Sequence, residues 1–278
     1  MAVVVRRRDT GDTLVSVDAD SLEGASLAGA VMPYADLPNA NLRGADLRRA
    51  DLCLAELSGA SFEGANMSWC DLTLAVVTGV NFRGAQLGDA RLQAVNKAIA
   101  GRTGADFRGA DLTRVTIKNS NLSGACFADA NLRRADLSRC DLTQADLRGA
   151  DLTGADLSFA DLTGADLSLA MLVGAMLAGA TLTGARLAQA DLTLASFNGA
   201  VVAEADLTAS LWSKTVWARC DDLSRARGLD AVQFGDPSSI DIHTLRACID
   251  GLPSELLAHC GIRSEQLKAL RALLAAES

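Results

Sequence analysis

Seven aspartates recur at intervals of five residues: Asp136, Asp141, Asp146, Asp151, Asp156, Asp161 and Asp166. Were the chain to pass over itself every 20 residues, Asp146 and Asp166 would stand near the roughly 5 Å used by paired carboxylates in retaining glycoside hydrolysis. Such a separation arises cheaply in any stacked repeat, and nothing accompanies the pair. The only histidines are His243 and His259, the seven cysteines include no Cys-x-x-Cys pair, and no glycine-rich phosphate loop opens a helix. The residues point to no catalytic centre, no metal and no cofactor.

The spacing itself is the stronger signal. From Leu22 to Trp217 every fifth residue falls on one phase, and 38 of these 40 positions are apolar; the residue two places earlier is Ala in 31 of them. The unit is Ala-Asp/Asn-Leu-X-X, as in Ala145-Asp146-Leu147-Arg148-Gly149. A period of five suits neither a helix, near 3.6, nor a strand, near 2, so the chain must turn within each unit. Four units, each one side and one corner, close a square coil of 20 residues, and coils stack at about 4.8 Å. Ala and Leu fill the tube while the other three positions face solvent. Forty units give ten coils, roughly 48 Å of rod. Cys70, Cys140 and Cys220 take the small inward position as compact apolar residues, which fits a reduced, cytoplasmic protein.

Residues 20 apart should form columns. Inward, Phe62 shares a column with Phe82, and Phe107 with Phe127. Outward, Tyr34, Leu54 and Leu74 make an apolar ladder, open to cover by the N-terminal arm or by a partner. A second outward apolar cluster, Phe159, Leu169, Met171, Val173 and Met176, replaces the usual Asp and Gly; an interface or a plain surface would both fit. The seven acids wrap around all four faces, and Asp at this position can also bond backbone in turns. Just before them Arg114, Lys118, Arg133, Arg134 and Arg139 form a basic band.

The departures from phase divide the chain. Residues 1–21, with Val3-Val4-Val5 and Leu14–Val17, are expected to add an edge strand or cap the first coil. Between the runs Leu22–Leu92 and Phe107–Trp217 the inward residues would be Lys97 and Arg102, which do not suit a dry core. Residues 93–104, with Ile99 near the middle, therefore read as a loop: either the two side chains snorkel outward or a whole number of units is extruded. The loop is a candidate binding element and equally a tolerated insertion. Trp212 and Trp217 are placed to plug the last coil. From Cys220 the chain reads as helical, with helices at Ile242–Ile249 (N-cap Asp241), Pro253–His259 and Glu265–Ala275 (N-cap Ser264). Leu267, Leu270, Leu273 and Leu274 recur at helical spacing, fit to cap the rod or to pair two chains as a homodimer.

Twenty-six basic against 34 acidic residues give a net charge of −8, which opposes direct nucleic-acid or anionic-membrane binding and allows a basic partner. The opening Met1–Arg8 has neither the order of a signal peptide nor a membrane span.

Repeats of this purity, over about 200 of 278 residues, resemble the pentapeptide-repeat family. The resemblance implies an all-β solenoid, a right-handed quadrilateral β-helix with turns at the corners, and no catalytic activity; the small helical C-terminal tail is the reading of the residues themselves. Ser239–Leu245 and Leu252–Ile262 are also similar to a segment that follows the solenoid in some bacterial members. The quinolone-resistance members and the immunity proteins of gyrase-poison producers bind type II topoisomerases, and their likeness to duplex DNA is held responsible. The resemblance thus implies a protein partner, DNA gyrase or topoisomerase IV, shielded from inhibitors partly by DNA mimicry. The alternative is a scaffold for an unrelated partner. Candidate contact residues are Lys97, Ile99 and Arg102 of the loop, Asp136, Asp146, Asp156 and Asp166 of the acidic band, and the Phe159 cluster.

Overall fold

In the type unit Ala50–Leu54 each of the five backbone N–H groups has a partner, which explains why the repeat is five residues long. Ala50 N closes the preceding turn onto Leu47 O at 2.9 Å, Asp51 N reaches Ala30 O of the coil before, and Leu52 N and Leu54 N reach Asp71 O and Thr73 O of the coil after. The fourth donor, Cys53 N, is taken by Asp51 Oδ1 at 2.9 Å. Asp recurs because its carboxylate ties its own corner. The fifth residue has positive φ in unit after unit, 61° at Leu54 and 62° at Gly44, while the fourth does not, which is a type II turn and favours Gly at that position.

The computed structural model describes residues 2–98, 101 and 103–277. Parallel bridges join residues 20 apart, from Ser26–Asp46 to Ser196–Val216, so four units close each coil of a parallel β-helix. Ala and Leu columns fill its axis, and nearly all of them are inaccessible to solvent.

The N-terminal arm is a hairpin of β1 (Ala2–Arg7) and β2 (Thr13–Asp18), with β1 also antiparallel to β3 (Ala35–Asp36). It buries Val5 against the core and lays the Arg7 guanidinium over the Tyr34 ring at 4.4 Å. The ladder is thereby covered only at its start: Leu54 is half-buried and Leu74 exposed.

At the interruption the step between coils grows from 20 to 25 residues: Asn81 pairs with Asp106, Gln86 with Asp111 and Arg91 with Thr116. One whole unit is extruded. Gln93, Ala94 and Asn96 still hydrogen-bond to neighbouring coils, and Thr103 N bonds Ser123 O. The regular bonding between coils therefore continues to Asn96 and resumes at Thr103, inside the 93–104 span suggested by the lost phase. The extrusion brings Phe82 over Phe107 at 4.8 Å and joins the two expected ring pairs into one stack, Phe62–Phe82–Phe107–Phe127.

The rod does not end at Trp217, a correction to the helical reading of everything beyond Cys220. After β4 (Leu211–Trp212) and β5 (Val216–Trp217), the strands β6 (Gln233–Phe234) and β7 (Ser239–Ile240) lie parallel on them. This eleventh coil is irregular, its steps growing from Asp206–Arg227 to Leu211–Gln233 to Val216–Ser239. It covers both tryptophans, which are fully buried and 4.6 Å apart. Helices α1 (Ile242–Cys248), α2 (Ser254–His259) and α3 (Ser264–Glu277) follow. Asp241 caps α1 by accepting from Thr244 N, and Leu245, Leu256 and Leu257 join the core. Among its described side chains, helix α3 packs on the core through half-buried Leu267 and Leu270, and Leu273 is exposed. No helix among the described residues is long and apolar enough to cross a membrane.

Candidate interaction surfaces

The acidic band is less available than its sequence suggests. All seven carboxylates from Asp136 to Asp166 accept from the N–H two residues on, at 2.9–3.2 Å. Four also face a cation: Asp136 with Lys118, Asp146 with Arg148, Asp151 with Arg133, and Asp166 with Arg186. The hydrogen bond from Arg148 holds the Asp146 carboxyl below its ordinary range. Asp141, Asp156 and Asp161 keep no basic partner among the described residues. Asp146 and Asp166 lie on adjacent coils of a filled rod, each with its own arginine, and no metal-ligating cluster occurs among the described residues.

In the loop, Lys97 is exposed and borders a recess of about 310 Å³ with Arg8, Leu54, Leu74 and Val76. Ile99 and Arg102 lie outside the described residues. Two polar residues that sequence reasoning passed over hold the coil closed behind the loop. Asn96, 2% exposed, accepts from Val77 N through Oδ1 at 2.8 Å and donates from Nδ2 to Asn121 O. Ser120, in the small inward position, accepts from Val95 N and donates to Leu92 O. Asn96 looks like any other unit asparagine, so only the missing apolar residue after it signals the different role.

The second apolar cluster is one level of the rod. Ser168 to Ala185 carries no charge. Leu169, Met171, Val173 and Met176 follow one another around this eighth coil, with Leu169 60% exposed and Val173 half-buried. Phe159, 59% exposed, rises from the coil beneath, with the Arg139 guanidinium 5.1 Å from its ring on one side and Gly179 on the other. A Cβ at Gly179 would meet the ring at 2.8 Å, so the glycine makes room for it. Met171 and Met176 stand where Asp normally ties the corner, and a thioether supplies no such acceptor.

At the far end Trp212 donates from Nε1 to Ser210 Oγ at 3.0 Å, while Trp217 Nε1 is buried without an acceptor. Leu270 and Leu273 of α3 line an open apolar recess of about 370 Å³ with Leu245, Ile262 and Ala269. The Leu274 side chain lies outside the described residues.

The profile of the family described as Pentapeptide repeats (8 copies) matches residues 21–59, 38–73, 55–93, 103–129, 130–168 and 175–211. Its breaks fall at the extruded unit, within the apolar coil, and at the terminal cap. Among solved structures the chain is similar to HetL, a pentapeptide repeat protein involved in heterocyst differentiation regulation from the cyanobacterium Nostoc sp. strain PCC 7120, at 31% identity over 78% of this chain and 90% of HetL, TM-score 0.28. It is similar to alr5209, a pentapeptide repeat protein from Nostoc, at 40% identity over 42% of this chain and 69% of that one, TM-score 0.18. QnrB1, a plasmid-mediated fluoroquinolone resistance protein, is 16% identical over 77% of this chain and 94% of its own, TM-score 0.42. No curated protein matches. With the family profile covering well over half of the sequence, and the five-residue unit, its corner hydrogen bonds and its four-unit coils all present, the chain belongs to the pentapeptide-repeat family.

Proposed function

We propose that this protein is a rigid, non-catalytic rod that docks another protein through its uncharged eighth coil. The observation that carries the reading is the exposure of Phe159, Leu169, Met171 and Met176 on a scaffold whose core is already filled without them. At Met171 and Met176 the chain also gives up the corner hydrogen bond that Asp would supply, a loss of about 0.5–1.5 kcal/mol each. Exposed apolar groups that do not serve the fold mark interfaces.

The partner we propose is a type II DNA topoisomerase, gyrase or topoisomerase IV, protected from its inhibitors. Support comes from membership of a family with quinolone-resistance proteins, from the net charge of −8, and from the rod shape. DNA mimicry contributes through Asp141, Asp156 and Asp161, the acids of the band without a cation. Titration of purified gyrase with the full chain in rising salt tests this. Tight binding that weakens moderately toward physiological salt fits an apolar coil assisted by a few acids. Absence of binding at low salt would overturn the topoisomerase reading.

The banding of the rod favours a second reading, a scaffold for an unrelated protein, since Arg133 and Lys118 neutralise part of what a DNA mimic would display. The same coil would serve, with gyrase binding absent. Pairing of two chains through Leu270 and Leu273 of α3 belongs to either reading. Deleting residues 264–278 should halve the mass in solution; an unchanged mass with lowered stability leaves α3 as a cap alone.

A further inference from the structure

Most corner residues with positive φ are glycines or short polar side chains, but one corner carries a tryptophan. Trp69 has φ of 58° and is 55% exposed. An L-residue there is strained, and a ring more than half in solvent returns little to the fold. One coil below, Arg49 holds its guanidinium over the ring, 5.7 Å from the centroid. No carboxylate pairs with Arg49 among the described residues. Its neighbour Arg48, by contrast, is bound twice by Asp46, whose carboxyl that bond pulls down to about 2. One coil further down the corner is Gly29, with nothing within 4 Å of where its Cβ would stand. The missing side chain opens a recess of about 470 Å³ lined by Ala28, Gly29, Arg48, Arg49 and Trp69.

We propose that this recess is a second docking site, which takes an acidic segment of a partner protein, with a carboxylate on Arg49 and the adjoining apolar side chain on Trp69. The ring holds Arg49 in place without taking up its N–H donors, which can then bind a carboxylate in bidentate fashion. The Trp face and the arginine stems bury the apolar neighbour, and Trp and Arg are the residues that dominate interface energies. Further along the corner the Asp89–Arg114 pair is self-neutralised, and Arg134 offers a cation free of ion pairs among the described residues. Four coils separate Arg49 from Arg134, about 19 Å, the reach of about six extended residues. A segment with acids at both ends and an apolar residue near the first fits that spacing. Nucleic acid would also stack on Trp69 and meet Arg49, but it carries a phosphate at every nucleotide, whereas the unpaired cations of this corner stand only at its two ends, with the self-neutralised Asp89–Arg114 pair between them. The site lies five coils from the apolar eighth coil and does not depend on the reading given to that coil.

The test uses the full chain and three synthetic probes: a ten-residue peptide alternating Glu and Leu, its Gln counterpart, and an oligothymidylate of similar length. Trp212 and Trp217 are fully buried, so quenching of fluorescence by acrylamide reports mainly on Trp69. The Glu peptide should protect Trp69 from quenching and bind at least tenfold tighter than the Gln peptide or the oligonucleotide. Trp69→Gly and Arg49→Gly, read by calorimetric titration, should each weaken it at least tenfold while the proteins unfold at the same or a higher temperature, because Gly suits the corner. Leu194→Gly, six coils along the same corner, and the pair Phe159→Gly with Leu169→Gly should bind it like the native chain. Equal binding of the Glu and Gln peptides, tighter binding of the oligonucleotide, undiminished binding after Trp69→Gly, or no binding of the Glu peptide would each overturn the proposal.

Discussion

Replacing Asn96 by Ala removes the side chain that substitutes for a backbone carbonyl. Elsewhere in the same column the inward residue's N–H reaches the next coil's main chain, as Leu57 N does to Val76 O at 3.0 Å and Leu122 N to Asp141 O at 2.8 Å. At Val77 that acceptor is Asn96 Oδ1, at 2.8 Å and away from water. Its loss strands a buried donor, which costs about 1–3 kcal/mol, and the lost Nδ2 bond to Asn121 O adds about 0.5–1.5 kcal/mol. Together, Asn96→Ala should destabilise by about 1.5–4.5 kcal/mol. Asn66→Ala is the control: the same residue type in the same unit position, half-buried, its Oδ1 accepting from Ser68 N at 3.2 Å and from Ser68 Oγ at 2.9 Å; both donors sit on a half-buried residue that water can reach, so the expected loss is about 0.5–1.5 kcal/mol. Urea unfolding gives both values, and amide hydrogen exchange at Val77 localises the first. Equal losses for the two variants, or undiminished protection at Val77, would refute the role assigned to Asn96.

Other consequences are equally measurable. Met171→Asp should restore the corner bond to Val173 N and raise stability by about 0.5–1.5 kcal/mol while weakening partner binding; a loss of stability in urea would contradict this. Phe107 stacks on two rings and Phe62 on one, so Phe107→Leu should cost about 1–3 kcal/mol against about 0.5–1.5 for Phe62→Leu; reversal of that order would contradict the continuous stack. Burial holds the His259 imidazole below its ordinary pKa, and its Nε2 accepts from Ser238 N. The native state therefore binds this proton less readily than the unfolded chain. Its contribution is full above about pH 6.5 and declines as pH falls from there toward the lowered native value, so the terminal cap should loosen in mild acid, seen as faster amide exchange in α2. His259→Gln should flatten that dependence.

The filled tube, its columns and the carboxylates at its corners follow from a single phase, because each position meets the same environment 20 residues later. What lay outside the phase was harder to see. Phe82 and Phe107 share a column only if one unit leaves the rod, and sequence alone left the fate of Lys97 and Arg102 open between snorkelling and extrusion. The eleventh coil was missed because its steps lengthen from Asp206–Arg227 to Val216–Ser239, so no repeat survives there. Local chemistry still marked α1, where Asp241 precedes the helix and binds Thr244 N. Trp69 escaped notice for another reason: corner residues vary freely, so an unusual one breaks no pattern. The apolar coil was visible because Met171 and Met176 replace a residue with a defined bonding role.

The most direct test of the docking account is gyrase supercoiling in the presence of a quinolone, with the native chain and with the double variant Phe159→Gly/Leu169→Gly. Both positions have positive φ, about 60°, so glycine keeps the corners intact. The account predicts that the native protein restores supercoiling and the double variant does not. Equal restoration by both would contradict docking through the eighth coil, and no restoration by either would contradict the topoisomerase partner.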